Sequence, residues 1–200
     1  MQIKQNFGGS VKLRSGSKSI RYRLHNKLGL IKIINSINGE IRNTIRINQF
    51  KHICIFFKIP YIKAKPLSID NNWIMGFFDS DGCITGNLTR NNPTITISIS
   101  NKYKENLEML PPILNGNIYF SKHGYGHYIW AIQSEKDISF FLNYTKFHPC
   151  RTNKIKRFTL IKEFFKLRKI KANNSDISTL SYKAWLKFIK NWKDYDTVQI

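Results

Sequence analysis

Two carboxylates stand at the end of the run W-I-M-G-F-F-D-S-D-G, which covers residues 73–82. The apolar residues ahead of Asp79 and Asp81 predict a buried helix that ends at Gly82, a helix-stopping glycine. Because the last turn of a helix carries partial negative charge, two carboxylates there call for a compensating cation, most simply a metal ion. The alternative is that both carboxylates are solvated caps of a structural helix.

The chain carries a large excess of positive charge. Its 200 residues include 33 Lys and Arg against 12 Asp and Glu, a formal net charge of +21. This charge favours a polyanionic partner, and nucleic acid is the leading candidate. No membrane partner is expected, because no run of about 18 apolar residues occurs and the basic residues do not collect on one amphipathic helix. With 42% hydrophobic residues, the chain can bury one sizeable core or two small ones.

Cysteine usage and codon bias indicate the compartment. Cys54, Cys83 and Cys150 share no metal-ligand spacing and cannot all pair, which favours a reducing environment. The first residues lack the features of a signal or transit peptide. Ile, Lys and Asn are abundant and Ala is scarce, as in proteins encoded by A/T-rich DNA. We therefore expect an organellar gene translated in place, in the mitochondrion or alternatively the chloroplast.

An offset of 108 residues aligns the first part of the chain with a later part. Gly16 then meets Gly124 and Asn35 meets Asn143. The matches become dense over Thr44, Ile47, Phe50, Ile53, Phe56 and Phe57, which meet Thr152, Ile155, Phe158, Ile161, Phe164 and Phe165. The pattern predicts a divergent duplication, with coincidence in a biased composition as the alternative.

The second copy predicts the order helix, two strands, helix, two strands, helix, helix. Strands are expected over 83–89 and over 94–100, where T-I-T-I-S-I-S alternates strictly. A helix over 102–110 is expected to stop at Pro111 and Pro112. Two short strands flank the turn S-K-H-G-Y-G-H, and helices follow over 135–144 and 154–168.

The first copy predicts only the later half of this order. A hairpin over 11–24 and helices over 28–37 and 47–57 have counterparts in the second copy, but the acidic turn has none. The expected organisation is a partial repeat over 1–60, a linker over 61–72, a complete repeat over 73–172 and a helical tail over 173–200. The aromatic residues between 182 and 192 favour a tail helix that covers a core.

The first hairpin is predicted to have a basic face. Its apolar residues alternate with positively charged ones, so a period of two places the charges on one side. These basic residues are Lys12, Arg14, Lys18, Arg21 and Arg23. A two-stranded ribbon fits the major groove of B-form DNA, where Arg and Lys contact guanine edges and phosphates. An ordinary solvated face is the alternative, although like charges across a sheet repel.

The later strands are polar rather than basic. Thr94, Thr96, Ser98 and Ser100 share one face of the alternating strand. The second hairpin is aromatic and polar and is suited to hydrogen bonding or stacking through residues such as Tyr119 and Ser121. A histidine metal site is not expected, because a strand or turn does not give His123 and His127 helical i, i+4 geometry and no carboxylate accompanies them.

The run I-M-G-F-F-D-S-D-G over 74–82, followed by this order of elements, resembles the LAGLIDADG homing endonucleases. The resemblance covers about residues 7–168. It implies an α+β fold of αββαββα units, one complete and one N-terminally truncated, with saddle-shaped antiparallel sheets that straddle the DNA major groove. It also implies Mg²⁺ as cofactor, because metal-activated water and a stabilised leaving oxygen are what phosphodiester hydrolysis requires.

The resemblance assigns roles to residues at matching positions. Asp81 is implied as the metal-binding catalytic carboxylate, while Asp79 and Gly82 support the helix end and Gly76 allows two motif helices to pack closely. Further implied catalytic positions are Lys154, its repeat mate Arg46, and Asn101 as a residue that orients water. The nucleic-acid contacts are assigned to the basic hairpin and to Thr94, Thr96, Ser98, Ser100, Tyr119 and Ser121.

One departure from the family pattern keeps several readings open. Single-chain members carry two motifs, and this chain has one. Either a preceding N-terminal segment supplies the other motif, or the chain is a degenerate relic, or a second protein copy pairs through the intact motif helix. The main functional hypothesis is a homing endonuclease of a mobile intron that cuts double-stranded DNA at the intron insertion site. The alternatives are an intron RNA maturase and a non-catalytic DNA- or RNA-binding protein.

Overall fold

The computed structural model describes residues 2–17, 19–89 and 91–197, with side chains to residue 194. The chain forms two compact units, Met1–Pro66 and Leu67–Ile200. The division lies within the segment 61–72 that was predicted as a linker. Within the described ranges, no helix has the length and apolar character that crossing a membrane requires.

The first unit contains a hairpin followed by two helices. A short helix α1 (Gln2–Phe7), which the sequence did not predict, precedes strands β1 (Ser10–Leu13) and β2 (Ile20–Arg23) and helices α2 (Lys27–Ile37) and α3 (Thr44–Phe56). Asn26 and Asn43 cap α2 and α3, because each side-chain oxygen accepts a hydrogen bond from a first-turn amide. The buried core is small and consists of Ile34, Phe50 and Cys54.

The second unit contains a four-stranded antiparallel sheet covered by helices. Its elements are α4 (Trp73–Asp81), β3 (Gly82–Asn87), β4 (Thr94–Asn101), α5 (Pro111–Leu114), β5 (Asn117–Ser121), β6 (His127–Ile132), α6 (Glu135–Phe147), α7 (Ile155–Lys169) and α8 (Leu180–Thr197). The strand order is β3-β4-β6-β5. The predicted strands and the helices over 135–144 and 154–168 are confirmed to within a few residues.

The 108-residue offset between the repeats also relates the positions of their helices and strands. Shifting α2 by 108 residues gives 135–145, and α6 spans 135–147. Strands β1 and β2 shift onto 118–121 and 128–131, which lie within β5 and β6. Each unit therefore contains the order hairpin, helix, helix.

One side of the larger sheet is buried. Strict alternation in β4 places Ile95, Ile97 and Ile99 inside, each at most 1% exposed. They join the aromatic core around Phe78, whose ring lies 5.3 Å from Phe141 and 5.5 Å from Phe158. The core therefore joins α4 to the sheet and to helices α6 and α7.

Helix α8 covers this core, as its aromatic residues predicted. Trp185, Phe188 and Trp192 are all at most 4% exposed. Phe164 of α7 packs against the first two, with ring centroids 6.3 and 5.9 Å apart. The tail is therefore part of the second unit's fold.

The predicted helix over 102–110 is wrong. Only a single 3₁₀ turn forms there, over Lys104–Asn106, and the short helix α5 begins at Pro111 instead of ending before it. Proline is tolerated in the first turn of a helix, where its missing N–H has no intrahelical acceptor. The two prolines therefore start a helix here.

Candidate nucleic-acid interface and metal site

Asp81 is the last residue of α4, and its side chain is exposed. Among the described residues, none forms a hydrogen bond or an ion pair with its carboxylate. Strand β3 begins at the next residue, so the carboxylate stands where the motif helix meets the sheet. A carboxylate in this setting keeps both oxygens available to a cation.

Gly82 does not act as the left-handed helix stop that the sequence predicted. Its φ of −79° and ψ of 154° are extended, a conformation open to any residue. Glycine is needed for space instead: a Cβ atom there would lie 2.4 Å from the carbonyl oxygen of Phe78 and 2.3 Å from its ring. The missing side chain lets the chain pass directly from helix to strand.

The Asp79 carboxylate is engaged by the loop that precedes α7. It accepts hydrogen bonds from the Cys150 thiol at 2.7 Å, the Arg151 backbone N–H at 2.8 Å and the Thr152 hydroxyl at 2.8 Å. Partial burial alone would raise the pKa of Asp79, but these hydrogen bonds outweigh it and lower the pKa below its ordinary value. Asp79 therefore stays ionised and holds the helix end, in line with the supporting role predicted for it.

Lys154 supplies the positive charge that the helix end calls for. It precedes α7, and its ammonium donates hydrogen bonds to the carbonyl oxygens of Phe78 at 3.2 Å and Asp79 at 2.6 Å. A cation on the last carbonyls of a helix offsets the negative pole. Lys154 thus provides the compensating cation expected at this helix end, and a metal ion would depend on the exposed carboxylate of Asp81.

Asn101 closes β4 at the same end of the sheet as Asp81. Gly82 pairs with Ile99, so Asn101 lies two residues beyond the start of β3. Its side-chain oxygen accepts hydrogen bonds from the Tyr103 backbone N–H at 3.1 Å and the Asn106 side-chain amide at 2.9 Å. This oxygen holds the following turn, and the predicted role in orienting water stays a prediction.

Gly76 lies on an exposed face of α4. A Cβ atom at this position would have no described atom within 4 Å. Trp73 and Phe77 lie on the same face, with ring centroids 5.0 Å apart. The predicted packing role of Gly76 stays a prediction, and the face has the small-residue notch that such packing requires.

The outer side of the larger sheet is polar. Thr94, Thr96, Ser98 and Ser100 share it, as predicted, because they alternate with the buried isoleucines. Their cross-strand partners include Thr85 and the exposed thiol of Cys83, and β5 contributes Tyr119 and Ser121 to the sheet's accessible surface. These side chains offer hydrogen bonds with little charge.

Gln133 is a member of this polar face that sequence reasoning missed. It follows β6, and its side-chain amide donates a 3.0 Å hydrogen bond to the Thr96 hydroxyl. The period-two alternation of β6, continued by one residue, was the available signal.

The hairpin of the first unit has the predicted basic face. Lys12 pairs with Arg21 and Ser10 with Arg23, so these side chains share one side. Exposed Arg14 directly follows β1. Lys18 lies outside the described residues. The opposite side carries Leu13 and Ile20, which are 76% and 57% exposed.

Arg46 belongs to the first unit, whereas Asp81, Asn101 and Lys154 belong to the second. Its guanidinium donates a 2.7 Å hydrogen bond to the Gln49 side chain one helical turn away. The second unit alone thus brings Asp81, Asn101 and Lys154 to one end of its sheet. Across the described part of the chain, no three His, Cys, Asp or Glu side chains gather in a way that could hold a metal ion.

Comparison with known proteins identifies the family. The family model described as LAGLIDADG endonuclease matches residues 74–165. The intron-encoded DNA endonuclease ai2b of Dictyostelium discoideum is 33% identical over 98% of this chain and 77% of its own length. This chain belongs to the LAGLIDADG endonuclease family, as its sequence predicted.

Two further relatives are longer than this chain. The intron-encoded RNA maturase bI4 of Saccharomyces cerevisiae is 45% identical over 96% of this chain, and the probable intron-encoded endonuclease aI2 of Debaryomyces hansenii is 39% identical over 95%. This chain spans 31% of the length of each.

Solved structures share the fold. Two crystal structures of the meganuclease I-SmaMI bound to uncleavable DNA superimpose with TM-scores of 0.65 and 0.61, at 16% and 17% identity. They cover 94% and 84% of this chain and 80% and 74% of their own. The predicted α+β fold class with antiparallel sheets is confirmed.

Proposed function

We propose that this chain acts as a DNA endonuclease of a mobile intron and hydrolyses phosphodiester bonds at the intron insertion site. The observation that carries the proposal is the contrast between two neighbouring carboxylates. Asp79 is held by three hydrogen bonds, whereas Asp81 is exposed where the motif helix meets the sheet and has no hydrogen-bond partner among the described residues. A carboxylate beside a polar sheet face would hold a cation against a DNA phosphate.

Mg²⁺ fits the donor at this position. Magnesium prefers hard oxygen ligands and is usually bound by one or two carboxylates, water and substrate phosphates. Asp81 would hold the ion, which when bound supplies an activated water and stabilises the leaving oxygen. The chain's own residues keep the site in place: Lys154 and Asp79 fix the end of α4, and Asn101 fixes the turn beside it.

Two surfaces would bind the DNA. The basic hairpin face with Lys12, Arg21 and Arg23 suits phosphate contacts, and the polar outer sheet with Thr96 and Gln133 suits contacts to base edges. Lys154 is proposed to stabilise charge on the phosphate undergoing attack, and Arg46 is proposed as the corresponding basic residue of the first unit.

The second motif of a complete endonuclease is proposed to come from outside the described residues. A preceding segment or a second copy of the chain would place another carboxylate against the Gly76 face of α4. The open space beside Gly76 and the neighbouring, only partly buried rings of Trp73 and Phe77 support this. We place the protein in an organelle, most simply the mitochondrion, on the grounds of its A/T-biased composition.

The endonuclease proposal is tested by cleavage of a plasmid that carries the intronless target site. We expect Mg²⁺-dependent cutting that a chelator abolishes, and a loss of at least about 100-fold in Asp81→Asn with DNA binding retained. Asp70→Asn is the matched control, because Asp70 is an exposed aspartate of the same unit. Cleavage by Asp81→Asn at the wild-type rate would remove Asp81 from the mechanism.

An RNA maturase is the second candidate, and the 45% identity with the maturase bI4 favours it. A maturase would use the basic surface to bind intron RNA and would not need Asp81. Splicing of the host intron should then depend on the chain and survive Asp81→Asn. Splicing support without DNA cleavage would replace the endonuclease proposal.

A further inference from the structure

The loop between α6 and α7 is fastened to the last turn of α4. Cys150, Arg151 and Thr152 donate three hydrogen bonds to the Asp79 carboxylate, and Lys154 donates two to the carbonyl oxygens of Phe78 and Asp79. These contacts join residues 71 to 76 positions apart in the chain. They act on one helical turn, the turn that ends at Asp81.

Cys150, Arg151 and Thr152, the three donors to the Asp79 carboxylate, form what we call the Asp79 anchor. These donors are part of the folded structure. Cys150 is only 6% exposed, and its sulfur also lies 3.3 Å from the Thr152 hydroxyl oxygen. A thiol is ordinarily a weak donor, but a carboxylate acceptor strengthens the bond. Burial, together with the neighbouring Asp79, raises the pKa of the Cys150 thiol, so the group keeps the hydrogen that it donates.

The anchor is placed to control the direction of Asp81. One residue separates Asp79 from Asp81, and Gly82 is packed so closely against Phe78 that a Cβ atom would not fit. The Gly82 N–H also donates to the Phe78 carbonyl. A shift of the Asp79 side chain is therefore transmitted to the turn that carries Asp81.

We propose that Cys150 and Thr152 are positioning residues that set the metal affinity of Asp81 by holding Asp79. The proposal rests on the proposed function, because it assigns the anchor to the same metal site. Supporting partners of metal ligands typically change metal affinity by about 10-fold to 100-fold when they are removed. Asp81 is held through a neighbouring residue, so we expect an effect at the lower end, about 10-fold.

Metal binding to the full chain, free of DNA, provides the test. The dissociation constant for Mn²⁺, a paramagnetic substitute for Mg²⁺, is measured by electron paramagnetic resonance. Cys150→Ala removes the thiol donor, and Thr152→Val removes the hydroxyl while nearly keeping the side-chain shape. Both should raise the Mn²⁺ dissociation constant about 10-fold. Cys150→Ser and Thr152→Ser each keep a hydrogen-bond donor. Both should have a Mn²⁺ dissociation constant close to the wild-type value.

Two matched controls separate anchoring from general loss of a thiol or hydroxyl. Thr159→Val removes a hydroxyl on α7 that bonds the Lys156 carbonyl instead of Asp79. Cys54→Ala removes a buried thiol of the first unit. Both should leave the Mn²⁺ dissociation constant at the wild-type value.

Hydrogen exchange of the Gly82 amide distinguishes the possible failures. Faster exchange in Cys150→Ala and Thr152→Val with unchanged Mn²⁺ affinity would overturn the positioning role and leave a purely structural one. Unchanged exchange and unchanged affinity would overturn the anchor altogether. A wild-type chain that binds no Mn²⁺ would overturn the positioning role. A wild-type chain that binds Mn²⁺ with the expected variant pattern but cuts no DNA would refute the endonuclease proposal alone.

Discussion

The two units use related sequences but bury them differently. Phe50 of α3 and its repeat mate Phe158 of α7 are both buried, at 4% and 7% exposure. Six residues further on, Phe56 is 79% exposed, whereas its mate Phe164 is fully buried. Ile53 and Ile161 differ in the same way, at 43% and 0%.

The elements around each helix explain the difference. Phe164 is enclosed by Trp185 and Phe188 of α8, and α7 also packs on the aromatic core below the four-stranded sheet. Within the described first unit, the hydrophobic cluster is limited to Ile34, Phe50, Cys54 and a few partly buried neighbours. An amphipathic pattern thus marks a surface for packing, but burial depends on which elements supply the other side.

The largest expected effect comes from truncating the paired phenylalanines. Phe164→Ala should lower the free energy of unfolding of the second unit by about 3–5 kcal/mol, because it leaves a cavity among packed rings. Phe56→Ala should change stability by less than about 0.5 kcal/mol, as expected for an exposed side chain. Urea unfolding followed by hydrogen exchange of each unit measures both. Equal losses would mean that Phe56 is covered in solution and that the two repeat mates are buried alike.

The basic face of the first unit and the polar face of the second should contribute differently to DNA binding. The double substitution Arg21→Ala and Arg23→Ala should weaken DNA binding about 10-fold or more at low salt. It should also reduce the slope of log affinity against log salt by about 2. Thr96→Val should alter sequence preference and leave the salt slope unchanged. Titrations of labelled duplexes at several salt concentrations measure both quantities.

The control for the binding experiment is a pair of exposed lysines on α8. Lys187 and Lys190 carry the same charge as the arginines but lie on the helical tail. Their replacement by alanine should affect binding less than the hairpin substitutions. Equal effects would refute the assignment of the DNA-binding face.

Acid should destabilise the second unit through Asp79. The folded-state pKa of Asp79 is lowered, so its carboxylate contributes stability that is present above its ordinary pKa of 3.8 and is lost as pH falls through the lowered value. Asp79→Asn should cost about 1–2 kcal/mol at neutral pH, and the difference from wild type should shrink below about pH 4. Urea unfolding at pH 7 and pH 3 is the measurement, with Asp70→Asn as control. A pH-independent difference would contradict an ionised anchor.

Local patterns predicted the strands and their faces well. The alternation T-I-T-I-S-I-S fixes which side of β4 is buried, because successive side chains of a strand point to opposite faces. The basic hairpin followed from the same rule. Asp79 and Asp81 were found together because the motif is contiguous in sequence.

Contacts between distant segments could not be predicted in the same way. The Cys150 and Thr152 bonds to Asp79 join segments 71 and 73 residues apart, and no short pattern marks them. The 102–110 segment looked helical, but Asn101 binds the Tyr103 amide and the Asn106 side chain and stabilises a turn instead. The requirement for glycine at position 82 comes from close packing against Phe78. This contact is visible only in the folded chain.

The smallest expected effect comes from two repeat-mate hydroxyls. The Tyr144 O–H donates a 2.7 Å hydrogen bond to the Asn71 carbonyl just before α4, whereas its mate Ser36 donates to Lys32 within its own helix. Tyr144→Phe should cost about 1 kcal/mol, because it leaves a partly buried carbonyl without this donor. Ser36→Ala should be nearly neutral, because its hydroxyl is exposed to water.

The pH dependence identifies the source of the Tyr144 effect. Burial raises the pKa of Tyr144 to about 12, so its contribution is complete below the ordinary value of 10 and is lost as pH rises through about 12. The difference in unfolding free energy between wild type and Tyr144→Phe should therefore be constant from pH 7 to 9 and decline at higher pH. A difference that stays constant above pH 10 would mean that the folded-state pKa of Tyr144 is not raised and that the hydroxyl is not buried. The tie between α6 and the start of α4 would then be absent, and the contrast with Ser36 would fail.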